Sequence, residues 1–268
     1  LSIEVSNLSF GYDERLILKD ISFSAEDYEL LSILGPNGVG KSTLFRCILG
    51  LLHGYKGRIS LNNLDVKHMG IKDMASCVAY IPQSHYPSFN YSVFDMVLMG
   101  TAIQVSTLSK PGSKQIHLAE AAMERLGITH LKNRGYTQIS GGERQLVLIA
   151  RALVQEAKIL ILDEPTANLD FGNQIRVLNQ IKALAKDGYT VVQSTHNPDQ
   201  TFLFSDKVLA MKDGKVLAYG QPHQIYSENL IKTLYGVDVE IQSLYKDQVR
   251  VCVPKSILKA DSLRESCS

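Results

Sequence analysis

No apolar run in this 268-residue chain approaches the roughly 18–20 residues needed to cross a bilayer. The longest, Leu146–Val154 (LVLIARALV), is interrupted by Arg151. The opening segment, LSIEVSNLSFGY, has neither a basic region nor an apolar core, so it does not read as a signal peptide. Charge is balanced: the formal net charge is +1. Such a chain has no bulk field to attract nucleic acid or an anionic membrane surface, and nucleic acid is not expected as a partner. Cysteine is scarce. Cys47, Cys77, Cys252 and Cys267 form no C-x-x-C pair, and no nearby histidine completes a zinc pattern. They read as free thiols in a reducing compartment, with a Cys252–Cys267 disulfide left open. Internal repeats and low-complexity tracts are missing too, which argues for one unit rather than a tandem array. What remains is ordinary globular composition, 45% hydrophobic and 21% charged, enough for one large domain or two intimate ones.

The first third of the chain reads as short strands. Ile3–Phe10 alternates roughly, Leu30–Leu34 (LLSIL) is a buried run, and Arg58–Leu61 and Cys77–Ile81 follow. A helix is predicted from Ser42 to about Leu51. From about Ser92 to Val154 the pattern becomes helical. Val93, Met96, Val97 and Gly100 share a face, a polar loop spans Ser106–Lys114, and Leu118, Ala122 and Leu126 lead to Gly127 as a stop. Strand signals return at Lys158–Leu162 and Tyr189–Gln193, around a helix at Asn173–Lys186. Lys207–Met211 and Lys215–Ala218 flank Asp213-Gly214, a hairpin signal. Strands alternating with helices imply an α/β fold with a mainly parallel sheet covered on both faces. The helical block sits inside that α/β pattern and reads as an inserted subdomain. Beyond Gln221 come short helical pieces, and Val237–Gln242 and Gln248–Val253 are candidates to pair as strands.

The first chemical motif is Gly35-Pro36-Asn37-Gly38-Val39-Gly40-Lys41-Ser42-Thr43, which fits G-x-x-x-x-G-K-[ST] between a strand and a helix. Its glycines let successive backbone N–H groups face a phosphate, and the helix start adds a positive dipole end. Lys41 is expected to reach the β- and γ-phosphates and Ser42 to ligate Mg²⁺. Ile159–Leu162 then runs into Asp163-Glu164. A carboxylate at the carboxyl end of a parallel strand lies near the ligand crevice. Asp163 is expected to hold Mg²⁺, directly or through water, and Glu164 to polarise the attacking water. A second serine–glycine turn, Ile139-Ser140-Gly141-Gly142-Glu143-Arg144-Gln145, precedes a predicted helix and offers another anion cradle, although Ser140 is equally a good N-cap.

These motifs together resemble the ATP-binding cassette (ABC) ATPases of membrane transporters, over nearly all of residues 1–235. The resemblance implies a P-loop NTPase fold with an N-terminal antiparallel β portion, the mainly parallel sheet, and an inserted α-helical subdomain at about 84–155. Residues 1–236 are then the ATPase domain, and 237–268 a C-terminal extension of unknown role. The 140–142 turn is similar to the family's signature, which closes over ATP held by the P-loop of a second copy. Glu143 and Ile139 stand where glutamine and leucine are usual, and Glu143 brings a negative charge near an anion site. Tyr12 resembles the aromatic that stacks on adenine. Gln83 in Y-I-P-Q resembles the glutamine that touches Mg²⁺ or water, Asp170 in N-L-D the loop that crosses the dimer seam, and His196 in S-T-H the switch histidine near the γ-phosphate. ATP and Mg²⁺ follow as ligands. The partners implied are a second copy and transmembrane permease subunits, with a periplasmic or extracellular substrate-binding protein where the system imports. The place implied is the cytoplasmic face of the membrane, held there by the permease.

Segment Ser84–Met99 is the candidate surface for a permease coupling helix, its Tyr86, Phe89 and Tyr91 serving either that contact or local packing. Ser92–Gly100, Gly220-Gln221-Pro222-His223 and Leu234-Tyr235-Gly236-Val237 resemble stretches in importers of iron chelates, haem and cobalamin, though Thr101 stands where a basic residue is common. Import of a metal chelate is therefore the expected task, with another transporter as the alternative. A soluble repair engine would need long coiled coils between its nucleotide motifs, and no sustained heptads occur here. A P-loop kinase or GTPase would leave the 140–143 turn, Gln83 and His196 without a role.

Overall fold

The computed structural model describes residues 2–83, 89–105, 110–247 and 249–257. Alternating apolar side chains build a first sheet. β1 (Ile3–Tyr12) buries Ile3, Val5 and Leu8, and a two-residue turn returns the chain as β2 (Arg15–Ala25), with Tyr12 opposite Arg15. β3 (Leu30–Leu34) is buried at every position, as its unbroken apolar run predicts. It feeds α1 (Lys41–Ile48), which ends earlier than expected because Gly50 adopts a left-handed φ of 66°. β4 (Lys56–Leu61) and the short β5 (Leu64–Asp65) complete the antiparallel sheet in the order β2-β1-β4-β5.

α2 (Ile71–Cys77) then precedes β6 (Val78–Ile81), so Cys77 closes a helix rather than opening the strand. α3 (Val93–Leu98) buries Val93, Met96 and Val97, while Gly100 lies in the 3-10 turn Met99–Gln104 that follows. α4 (Ser113–Arg125) starts within the expected polar loop. The side chain of Gln115 accepts the Gly112 N–H at 3.1 Å, so Ser113 and Lys114 are helical. Residues 106–109 of that loop and 84–88 of the candidate permease surface, Tyr86 included, lie outside the described residues. Within that surface, Phe89 and Tyr91 meet edge to face at 6.0 Å.

α5 (Gly141–Leu153), β7 (Ile159–Leu162), α6 (Phe171–Lys186), β8 (Thr190–Thr195), α7 (Pro198–Phe204), β9 (Lys207–Lys212) and β10 (Lys215–Gly220) follow in order. The second sheet runs β10-β9-β3-β8-β7-β6. Its five strands from β9 to β6 are parallel, and β10 pairs antiparallel at one edge. α3, α4 and α5 lie in sequence between β6 and β7, which are direct neighbours. The helical block is thus an excursion between two adjacent strands.

Three apolar clusters hold these layers. One packs Leu160 and Leu162 against α3–α6 through Val97, Ala122, Leu146 and Ile181. Another packs Ile159 and Ile161, on the opposite face of β7, against α1 and the first sheet through Phe45, Ile48 and Val5. The third joins Leu34, Val208 and Ala210 to α8 (Pro222–Ile225), α9 (Glu228–Tyr235) and the hairpin β11 (Val239–Leu244) and β12 (Val249–Pro254). The two tail segments do pair as strands, antiparallel, with Val239 opposite Pro254. Cys252 N–H on β12 donates to Asp199 Oδ1 on α7 at 3.0 Å. Cys47, Cys77 and Cys252 are free thiols, and the open Cys252–Cys267 pairing falls on Cys267, outside the described residues. Among the described residues, no helix is long and apolar enough to cross a membrane.

Candidate functional site

The carboxyl ends of β3, β7 and β8 converge on one crevice, the place where open parallel sheets bind ligands. β3 stops at Leu34 and the chain wraps through Gly38 (φ 81°) and Gly40 (φ 107°), backbone angles that a side chain tolerates poorly. α1 starts at once with Lys41. Its ammonium arches back over the loop, donating to Gly35 O at 2.6 Å and Pro36 O at 3.2 Å, and its side chain is only 5% exposed. Asn37, Gly38, Ser42 and Thr43 line a cavity of about 440 Å³ with Lys41, and Gln83 and Glu164 close its other side. Val39 packs into the second apolar cluster, and with Pro36 it lines a neighbouring cavity.

Asp163 and Glu164 follow β7. Asp163 is buried and accepts the Ser194 hydroxyl at 2.6 Å and the Tyr80 hydroxyl at 3.4 Å. Burial first, and the Asp163 carboxylate second, push the Tyr80 phenol up to about 12, so it stays a donor. Glu164 takes a left-handed φ of 46°, and its N–H donates to Ser194 Oγ at 2.9 Å. Glu164 Oε1 lies 3.2 Å from Lys41 Nζ and Oε2 lies 3.2 Å from His196 Nδ1. A lysine, a carboxylate and an imidazole therefore form one chain across the crevice. A largely buried ion pair of this kind is weak evidence for stability, and this one borders the 440 Å³ cavity. The carboxylate is 11% exposed and the imidazole 53% exposed. A water entering here meets a carboxylate held between an ammonium and an imidazole. A second cavity of about 250 Å³ shares Asn37, Gln83 and Glu164 with the first, and includes Asn168 and His196.

The other expected residues lie apart from this crevice. Ser140, Gly141, Gly142, Glu143 and Asp170 line none of the cavities around Lys41. Ser140 caps α5: its N–H donates to Glu143 Oε2 at 2.7 Å, and its hydroxyl accepts Glu143 N–H at 3.3 Å. The Ser140 N–H, then its hydroxyl, hold the Glu143 carboxyl below its ordinary range. Glu143 is thus turned back onto the helix start. Asp170 caps α6 through Asn173 N–H at 2.9 Å and also accepts the Asn173 side-chain amide at 2.8 Å. That amide lies directly against Gly142, where a Cβ would fall 2.5 Å from Asn173 Cγ. Tyr12 is 43% exposed and stacks edge-on against Phe10, lining none of the cavities.

Sequence reasoning missed Arg15, Ile17, Tyr80 and Ser194. Arg15 was within reach, since the turn after Tyr12 sets it cross-strand from the expected aromatic, and both Arg15 and Ile17 line the 440 Å³ cavity. Tyr80 and Ser194 open the Y-I-P-Q and S-T-H stretches, but nothing local marks them as partners of Asp163. Among the described residues, no group of three or more His, Cys, Asp or Glu side chains is placed to hold a metal.

The family model for ABC transporters matches residues 18–167. An ATP-binding protein of Helicobacter pylori assigned to iron chelatin transport is 40% identical over 248 residues, covering 91% of this chain and 96% of that protein. The molybdate import ATP-binding protein MolC of Haemophilus influenzae is 36% identical, over 92% of this chain and 93% of the relative. An inward-facing transporter structure assigned to the metal-chelate type superposes with a TM-score of 0.85 at 33% identity, covering 96% of this chain and 98% of the other.

Proposed function

This chain belongs to the ABC transporter ATP-binding family and is an ATPase that powers transport; from that premise we propose that it energises import of a metal chelate, of the iron-siderophore, haem or cobalamin class, through a separate membrane permease. The observation that carries the catalytic reading is Glu164, held 3.2 Å from both Lys41 and His196. In this reading the loop 35–43 cradles the triphosphate. Lys41 trades its carbonyl contacts for phosphate oxygens, Glu164 takes a proton from the attacking water, and His196 and Gln83 orient the γ-phosphate and that water. Tyr12 and Arg15 flank the base and sugar. The oxygen-bearing side chains near the crevice fit a hard cation: the Ser42 hydroxyl, the Asp163 carboxylate and the Gln83 amide oxygen would hold Mg²⁺, with water and substrate phosphates completing its shell. Mg²⁺ there supplies charge neutralisation for the transferred phosphoryl group.

Ser140, Gly141 and Gly142 act on a second copy's nucleotide, with Asp170 at the seam. They line none of the cavities around Lys41 within one chain, which supports the reading that this helix start meets a nucleotide held by another copy. Glu143 serves as the cap's second half rather than as a phosphate ligand. Residues 1–236 form the ATPase domain, with 84–155 the helical subdomain that meets the permease, and 237–268 are the extension. The complex sits at the cytoplasmic face, and an extracytoplasmic binding protein delivers the cargo.

Two measurements test this. Glu164→Gln should bind ATP normally, dimerise with it on a sizing column, and turn over at least about 10²-fold more slowly, as loss of a general base implies. Undiminished hydrolysis in that variant removes Glu164 as the base. With the permease reconstituted in vesicles, an iron chelate on its binding protein should stimulate ATP turnover. Stimulation by molybdate instead would favour an oxyanion cargo, the reading that the MolC relative supports.

A further inference from the structure

His196 is the first residue beyond β8; Gly35 N–H donates to Thr195 O at 3.3 Å ahead of it, and Asn197 N–H donates to Thr195 Oγ1 at 3.1 Å after it. The His196 carbonyl oxygen is held from outside the sheet. Tyr235, the last residue of α9, donates its hydroxyl to His196 O at 2.8 Å. The anchor behind that hydroxyl is firm. The Tyr235 ring is half-buried against the third apolar cluster, beside Leu230, Ile231, Leu234 and Val239. Gly236 ends α9 in a left-handed conformation, its N–H returning to Lys232 O at 2.8 Å. Burial first, then the Cys252 and Glu164 charges, raise the Tyr235 phenol above its ordinary value, so it remains a proton donor. The same tail grips the next element as well, through Cys252 N–H on Asp199, three residues past His196.

We propose that Tyr235 is a positioning residue for ATP hydrolysis, holding the His196 imidazole against Glu164 through the His196 backbone carbonyl and so making the C-terminal segment part of the catalytic apparatus. The inference rests on the reading of His196 as a participant in hydrolysis. An imidazole direction depends on the backbone that orients its Cα–Cβ bond and on the rotamers that backbone allows. The Asn197 N–H bond to Thr195 Oγ1 holds one end of the His196–Asn197 peptide plane, and the Tyr235 hydroxyl at 2.8 Å holds the carbonyl end; with the carbonyl solvated by water only the first restraint remains. The tether also gives the hairpin β11–β12 a route to the reaction, since the hairpin packs on both α9 and α7, the two elements that flank the His196 turn.

The test is Tyr235→Phe, which keeps the ring and its packing and removes one hydroxyl. In the full-length chain with ATP and magnesium, kcat should fall about three- to tenfold, the range one hydrogen bond allows, with KM for ATP unchanged. In a His196→Ala background the same change should have no further effect. In ¹H–¹³C imidazole spectra, the His196 resonance should move while those of the other histidines stay. Wild-type kcat in Tyr235→Phe, an equal loss of rate in both backgrounds, or an unmoved His196 resonance would each overturn the inference. Full turnover in His196→Ala alone would instead remove the role of His196 itself, and the Tyr235 inference with it.

Discussion

Replacing Ser194 with Ala removes one hydroxyl that serves both acidic residues of the crevice. Ser194 is fully buried, donates to Asp163 Oδ1 at 2.6 Å and accepts Glu164 N–H at 2.9 Å. A hydrogen bond to a charged group is worth about 1.5–3 kcal/mol net and a neutral one about 0.5–1.5. Losing both should lower unfolding free energy by about 2–4 kcal/mol, which a domain of ordinary stability survives. The effect on rate follows from geometry. Glu164 sits at a φ of 46°, a conformation that costs about 1–3 kcal/mol and persists only when its surroundings enforce it. Without the Ser194 contact the Glu164 peptide can relax, and its carboxylate leaves the gap between Lys41 and His196. Misplacement of a reacting group by about 1 Å costs about 10²-fold in rate. The expected outcome for Ser194→Ala is therefore a 10- to 100-fold lower kcat (about 10²-fold as the upper bound). Affinity for ATP measured without magnesium should hold, since the loop 35–43 is untouched. Urea unfolding and phosphate release across a range of ATP concentrations measure both. Unfolding free energy within about 0.5 kcal/mol of wild type, the range of an inconsequential surface change, with unaltered kcat, would refute the reasoning.

Gly142→Ala should cost about 1–3 kcal/mol by overpacking, because the new methyl meets Asn173, whose amide is tied to Asp170 Oδ2 at 2.8 Å. Asn173→Ala should recover much of that loss in urea unfolding, and a double variant no better than Gly142→Ala would show that the clash lies elsewhere. In the C-terminal hairpin, the Arg250 side chain first, and the Ser243 hydroxyl second, lower the Asp247 carboxyl from 3.8 to about 2. A depressed folded value means that this contribution is complete above 3.8 and is lost as pH falls toward about 2. Protection of the β11 and β12 amides, relative to their intrinsic exchange rates, should fall over that window, and Arg250→Ala should raise the carboxyl toward its ordinary range in an NMR titration. A value still near 2 in that variant would show that Arg250 is not the cause.

The glycine-rich loop, the acidic pair after Leu162 and the Asp213-Gly214 hairpin were legible in the sequence because each is contiguous. Their geometry is set by neighbouring backbone angles, and Asp213 and Gly214 do adopt the left-handed values, 49° and 76°, that such a turn requires. The runs LLSIL and ILIL announced strands buried on both faces for the same local reason. α2 was not legible: none of its residues is buried, so it shows no apolar period. Glu143 illustrates a middle case. Its departure from the family's pattern was visible, but its engagement in a capping box with Ser140 appeared only in the structure, where the carboxylate folds back onto the Ser140 N–H.

By itself, then, the sequence determined the phosphate loop, the acidic strand end and the serine–glycine helix start, because each is written in consecutive residues whose backbone and caps interact locally. Only the tertiary structure decided which distant groups complete the crevice. Tyr80 reaches Asp163 across 83 positions of sequence, Ser194 reaches it across 31, and Tyr235 reaches His196 across 39. Those meetings depend on the parallel order β3-β8-β7-β6 and on its register, which sets Leu34 beside Thr195 and Leu162 beside Gln193. Strand order and register follow from how whole apolar faces pack together, and no single segment carries that information.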